Sequence, residues 1–102
     1  MLTIRSRNNV IIRLTDERWR HITEEHSELA GYYFEVLETI SDPDYIYKGL
    51  MNELLAVREL KTGKFLVVIY RELIEQNDGF IITAFFTKRK NKMDRRELVW
   101  KK

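Results

Sequence analysis

The sequence predicts an α+β domain in which two N-terminal helices pack on one face of an antiparallel sheet of about four strands, connected as a meander. Three observations predict it. The stretch Glu53–Thr87 holds three runs rich in Val, Ile, Leu, Phe and Tyr, residues that suit a pleated, half-buried surface. Turn signals at Thr62-Gly63 and Asn77-Asp78-Gly79 separate the runs. Ahead of them, Tyr33, Val36, Leu37 and Ile40 recur at i, i+3, i+4 and i+7, the apolar stripe of a helix that covers a sheet.

Residues 1–9 are polar and are read as frayed or loosely paired. Val10–Leu14 is a short strand with Val10, Ile12 and Leu14 on one face. Thr15 is placed to cap the next helix, and Asp16 and Glu17 in its first turn suit the helix dipole. That helix runs from Asp16 to about His26. Trp19, Ile22 and His26 share its inner face, while His21 lies about 200° from Trp19. Ser27–Gly31 is a break with Leu29 tucked under it. The second helix covers about Tyr32–Ser41 and ends before Pro43, which lacks an amide proton and restricts its predecessor. Tyr45–Lys48 is a short strand and Gly49–Asn52 a turn.

A two-residue loop at Thr62-Gly63 sets Lys61 opposite Lys64 and Arg58 opposite Val67. In that register Leu54, Ala56, Arg58, Leu60, Phe65, Val67, Ile69 and Arg71 share one face, and Leu55, Val57, Leu66, Val68 and Tyr70 the other. On the third long strand Phe80, Ile82, Ala84 and Phe86 face one way, and Ile81, Thr83, Phe85 and Thr87 the other. Glu97–Trp100 forms an edge strand after a basic loop.

The 102 residues make one domain, with 88–102 as a basic C-terminal segment. Apolar residues, at 44%, allow one small core. Cysteine is absent, so disulfides, thiolate metal sites and a cysteine nucleophile are excluded. The N-terminal residues carry no long apolar run, and no stretch reaches membrane-spanning length. The expected setting is the cytoplasm, with no membrane partner.

Net charge is +2, unevenly spread. Residues 1–87 carry 10 Lys/Arg against 14 Asp/Glu, a net of −4, and residues 88–102 carry 8 against 2, a net of +6. A basic end on an acidic body is either a polyanion footprint or a solubilising tail.

The candidate chemical groups are few. His21 and His26 are the two histidines. On one helix they would stand about 140° apart, which argues against a shared metal but leaves each able to exchange protons near neutral pH. Arg58 interrupts an apolar strand, so it either pairs with an acid, reaches solvent or clamps a phosphate. Thr83 sits mid-strand, where it is a good strand former or a hydroxyl donor to a phosphate oxygen. Tyr70 and Thr87 are similar, weaker cases. Lys88 and Arg89 follow the last long strand and suit a nucleic-acid backbone. There is no Gly-rich phosphate loop, nucleophile elbow or glycosidase-like carboxylate pair.

Several segments carry a family resemblance: Arg13–His26, Leu37–Asp44, Leu55-Ala-Val-Arg58, Leu66–Arg71 and Gly79–Thr87. Together these resemble small prokaryotic and phage proteins of the phage-type branch of the barnase–EndoU–colicin–RelE-like nucleases, over about residues 10–90. The resemblance implies a metal-independent ribonuclease in which the 2′-hydroxyl attacks the adjacent phosphate and leaves a cyclic phosphate. It implies His21 or His26 as acid or base, Arg58 steadying the phosphate and Thr83 donating a hydrogen bond. Tyr70, Thr87, Lys88 and Arg89 would contact RNA. No cofactor or metal is expected, and RNA and an antitoxin or other protein are the expected partners. Two other classes fit the same sequence. One is a non-catalytic nucleic-acid- or protein-binding module using the sheet face and the basic end. The other is a dimerising domain presenting Tyr32, Phe34 or Trp100.

Overall fold

The computed structural model describes residues 2–102. Met1, part of the segment read as frayed, lies outside the described residues. The chain forms β1 (Leu2–Arg5), β2 (Ile11–Leu14), α1 (Asp16–Glu25), α2 (Tyr33–Ser41), β3 (Tyr45–Lys48), β4 (Leu54–Lys61), β5 (Lys64–Leu73), β6 (Asp78–Thr87) and β7 (Glu97–Lys101). Short 3-10 turns lie at Ser27–Leu29, Ile74–Gln76 and Lys90–Arg95. No described helix is long and apolar enough to cross a membrane.

The strands form one seven-stranded mixed sheet in the order β1-β2-β6-β5-β4-β3-β7. This overturns the four-stranded antiparallel meander. The strands β4, β5 and β6 do run as an antiparallel meander, but β2 joins β6 in parallel, pairing Ile12 with Gly79 and Arg13 with Phe80. The two helices after β2 carry the chain across one sheet face, so it re-enters the sheet from the far side and meets β2 last. Residues 2–5 are not frayed. They form an edge strand antiparallel to β2, with Ile4 opposite Ile12.

The helices form where the patterning placed them. The Thr15 hydroxyl accepts from the Arg18 amide at 3.1 Å, which caps α1. On α2, Val36, Leu37 and Ile40 are buried against the sheet.

Two bulges move the facing pairs. The first, between Glu59 and Lys61, leaves Leu60 extra. Lys61 still faces Lys64, but Arg58 faces Leu66 instead of Val67. The second leaves Ile82 extra, so Tyr70 faces Ile81 while Ile69 faces Thr83. The helix-facing core therefore combines Ala56, Leu66, Val68, Tyr70, Ile81 and Ala84 with Ile22, Leu29, Val36 and Ile40. The opposite face carries Leu55, Val57, Phe65, Val67, Ile69 and Phe85.

That second face is partly covered. The chain from β6 to β7 crosses it as a strap, and Met93 is buried there among Tyr47, Val57 and Val67. Asp94 holds the strap down, accepting from the Tyr47 hydroxyl at 2.8 Å and from Lys90 Nζ at 2.9 Å. Lys90 also lies 4.0 Å over the Tyr45 ring. The sheet ends approach each other around α2. Arg7, in the β1–β2 turn, stacks 4.7 Å over Trp100 of β7.

Candidate active site

β2 pairs with β6 only at Gly79 and Phe80. Beyond that point α1 and the following 3-10 turn, rather than a strand, lie along β6. The result is a cleft of about 400 Å³ between the end of α1 and the open sheet face. Arg18, His21, Ile22, Glu25 and His26 line one wall, and Ile82, Thr83 and Phe85 the other.

Both histidines reach this cleft because α1 stops between them. His26 is the C-cap, at φ −131° and ψ 73°, so the 140° helical separation does not apply. Its N–H still bonds to the Ile22 carbonyl at 2.8 Å, which fixes the exit of the chain. The His26 ring lies 6.1 Å from that of Phe85, tilted by 37°. Its Nδ1 stands 3.5 Å from Glu28 Oε1. His21 is more exposed, with Glu17 at 3.7 Å and Glu24 at 3.9 Å. Those two separations are longer than hydrogen bonds, so the carboxylates act on His21 as nearby charges.

Thr83 faces the cleft because of the Ile82 bulge, which sets it beside Ile69 on the open face. Arg18 and Glu25 were not singled out from the sequence. Their signal is the spacing Arg18, His21, Glu25, at i, i+3 and i+7 on one helix face. Arg18 brings to the cleft the cation that Arg58 was expected to bring.

The other expected residues lie elsewhere. Arg58 is on the helix-facing side, opposite Leu66, with its guanidinium 3.4 Å from Glu38 of α2. It is separated from Thr83 by the thickness of the sheet and does not enter the cleft. Tyr70 is fully buried in the helix-facing core, and its hydroxyl has no partner among the described residues. Burial, reinforced by the Glu72 charge, pushes its phenol far above the ordinary range. It is not placed to meet RNA. Thr87 ends β6 on the open face, and its hydroxyl accepts from the Arg89 amide at 3.0 Å. Lys88 and Arg89 are exposed just beyond Thr87, which itself lies about 13 Å along β6 from Thr83.

Elsewhere in the basic segment Lys90 is tied into the strap. Burial alone lowers its pKa, but bonding to Asp94 and Tyr47 outweighs that and holds the ammonium above its usual value. The same Lys90 contact, then the Tyr47 hydroxyl, holds Asp94 below the usual carboxylate range. Among the described residues no group of three or more His, Asp or Glu is arranged to hold a metal ion.

The arrangement brings two imidazoles, a hydroxyl, a guanidinium and a carboxylate around one water-accessible space. Proton transfer to and from a phosphodiester needs such a set.

The model of the family described as phage-Barnase-EndoU-ColicinE5/D-RelE like nuclease 2 matches residues 2–101. The chain matches no curated protein and no solved structure.

Proposed function

We propose an activity from one premise: the chain belongs to the phage-Barnase-EndoU-ColicinE5/D-RelE like nuclease 2 family, whose description is that of a nuclease. The proposed activity is metal-independent endonucleolytic cleavage of RNA at the cleft between α1 and β6. The observation that carries it is that His21 of α1, His26 at the C-cap of that helix and Thr83 of β6 line one cleft.

In this reading one imidazole takes the proton from the ribose 2′-hydroxyl. The 2′-oxygen bonds to the adjacent phosphorus, and the bond from phosphorus to the 5′-oxygen breaks. The other imidazole gives its proton to that leaving oxygen. The products are a 2′,3′-cyclic phosphate and a 5′-hydroxyl, and the two histidines end with their protonation states exchanged. Arg18 and the Thr83 hydroxyl stabilise charge on the non-bridging oxygens. His26, half-buried beside Phe85, is the better shielded of the two imidazoles.

The test is cleavage of a labelled RNA pool in excess EDTA, with each variant checked for folding. His21→Ala and His26→Ala are each expected to lose about 10²–10⁴-fold in rate, the ordinary worth of a positioned acid or base. Arg58→Ala is expected to keep its activity, since its guanidinium faces α2. Chelator-sensitive cleavage, or products without cyclic-phosphate ends, would reject the mechanism. No cleavage of any RNA, including ribosome-bound message and tRNA, would leave a binding module as the better account.

A further inference from the structure

Two sets of cations in this chain differ in what surrounds them. Arg13, Arg58, Lys90 and Lys102 are engaged with carboxylates of the fold. Lys48, Lys92, Arg95 and Arg96 have no such partner among the described residues, and they converge. Lys48 ends β3, Lys92 and Arg95 come from the strap, and Arg96 follows it. Together they line a cleft of about 530 Å³, with Glu97 as the one carboxylate in its lining. Four cations against one carboxylate, Glu97, which stands opposite Lys48 across β3 and β7, favour a ligand with repeated negative charge.

This cleft and the candidate active site both border a third depression. An apolar groove of about 330 Å³ lies between them, floored by Leu50, Leu55, Ile69 and Ile82. It shares Leu50 and Arg96 with the cationic cleft, and Ile82 with the cleft of His21, His26 and Thr83. Glu53, also in the groove, is turned to the backbone, where its carboxylate accepts from the Met51 amide at 3.2 Å. Leu50 is 95% exposed at the groove's edge. An apolar side chain held open beside four cations is matched by a ligand with an apolar plane next to phosphates.

We propose that the open sheet face is a single-strand track: phosphates held by Lys48, Lys92, Arg95 and Arg96, an unstacked base on Leu50, Leu55, Ile69 and Ile82, and the scissile phosphodiester at His21, His26 and Thr83. The proposal rests on the nuclease reading and deepens it by naming single-stranded RNA as the substrate class. A duplex keeps its bases inside the stack and presents sugars and phosphates, so it leaves the apolar groove unfilled. The Arg96 guanidinium, common to groove and cationic cleft, stands where it can stack on a base or bond a phosphate.

The experiment uses a short fluorescent oligonucleotide with 2′-O-methyl riboses, which cannot be cleaved by 2′-oxygen attack. Its binding to the full chain is followed by anisotropy across a salt series, alone and annealed into a duplex. Arg95→Ala/Arg96→Ala is expected to weaken single-strand binding about 10-fold or more and to reduce the salt slope by about 1.4, or about 0.7 per lost phosphate contact. Leu50→Asp is expected to weaken the single strand more than the duplex. Arg95→Lys/Arg96→Lys is expected to keep most of the salt slope. Lys61→Ala, at the end of β4, is the charge-loss control and is expected to change the binding of neither ligand. No binding by the unmodified chain, an unchanged slope in the double alanine variant, or an equal loss in Lys61→Ala would overturn the track. The ligand is not cut, so the two readings fail separately. Specific binding with no RNA ever cleaved upholds the track and rejects the nuclease. Cleavage with an unchanged KM in Arg95→Ala/Arg96→Ala does the reverse.

Discussion

At the scale of single residues, Tyr70 and Gly79 show how little freedom the sheet allows. Tyr70 is wholly buried and its hydroxyl is unpartnered among the described residues. An unsatisfied buried hydroxyl costs about 1–3 kcal/mol. Tyr70→Phe is therefore expected to raise stability by about 1 kcal/mol in urea unfolding and to leave RNA cleavage unchanged. A loss of cleavage in a folded Tyr70→Phe protein would put the reaction on the other face of the sheet. Gly79 sits where β2 and β6 come closest. A Cβ there meets the Arg71 carbonyl oxygen, and Ile12 Cδ1 at 2.6 Å. Gly79→Ala must push β6 away from β5, whose Arg71 carbonyl the new Cβ meets, and turn the Ile12 side chain of β2 aside, at a cost of about 1–3 kcal/mol. The measurement is its unfolding free energy beside that of Ala84→Gly, a cavity-making control on the same strand.

At the scale of elements, the strap is the segment whose role changed most between sequence and structure. Residues 88–96 read as a basic loop ahead of an edge strand, yet Met93 is buried and Asp94 is bonded to both Tyr47 and Lys90. The Asp94 carboxyl is held below its ordinary value of 3.8 in the folded chain. Its stabilisation is therefore present in full above the unfolded value and is lost as the pH falls through the lower folded-state value. Asp78, held down by Arg13 across β2 and β6, adds a contribution of the same sign. The melting temperature should drop as the pH falls below 3.8, and the drop should be shallower in Asp94→Asn. An identical acid profile in Asp94→Asn would mean that the strap is held by Met93 alone. Met93→Ala is expected to cost about 2 kcal/mol, the usual loss for a buried methionine.

At the scale of the whole molecule, the sheet curls around α2 until its two ends approach. The contact between Arg7 and Trp100 joins strands at opposite ends of the sheet order. Trp100→Ala removes the ring, its packing and the cation–π contact, and about 1–2 kcal/mol is expected to go with it. Because one closure is lost and not the sheet, the urea m-value should stay unchanged while the midpoint falls. A fall in m-value would mean that the end strands unfold separately from the centre. The same curl leaves one face for the helices and the other for the strap, the groove and the candidate cleft. The acidic body and basic end of the sequence thus become a face with cations at one end and histidines at the other.

The local chemistry of the chain was legible without a structure. The Thr15 cap, the α2 stripe, the strands of residues 53–87 and the family resemblance all rest on neighbours within a few residues, so periodicity and capping chemistry reveal them. Thr83 and the two histidines were legible as residue types, while Arg18 and Glu25 went unread although they share a helix face with His21. Facing was not. Leu60 and Ile82 bulge out of register, and neither carries a turn residue to announce it, so strict alternation mislaid Arg58 and Tyr70. The parallel pairing of β2 with β6 and the edge strand Leu2–Arg5 were hidden for a related reason. A four-residue strand is defined by the partner it finds, and that partner lies 65 or more positions away for β2. The sequence by itself determined both helices and every strand after Leu2–Arg5, and which side chains are available for chemistry. Only the tertiary structure decided which of them share a cleft, because facing in a sheet depends on pairing partners far away along the chain.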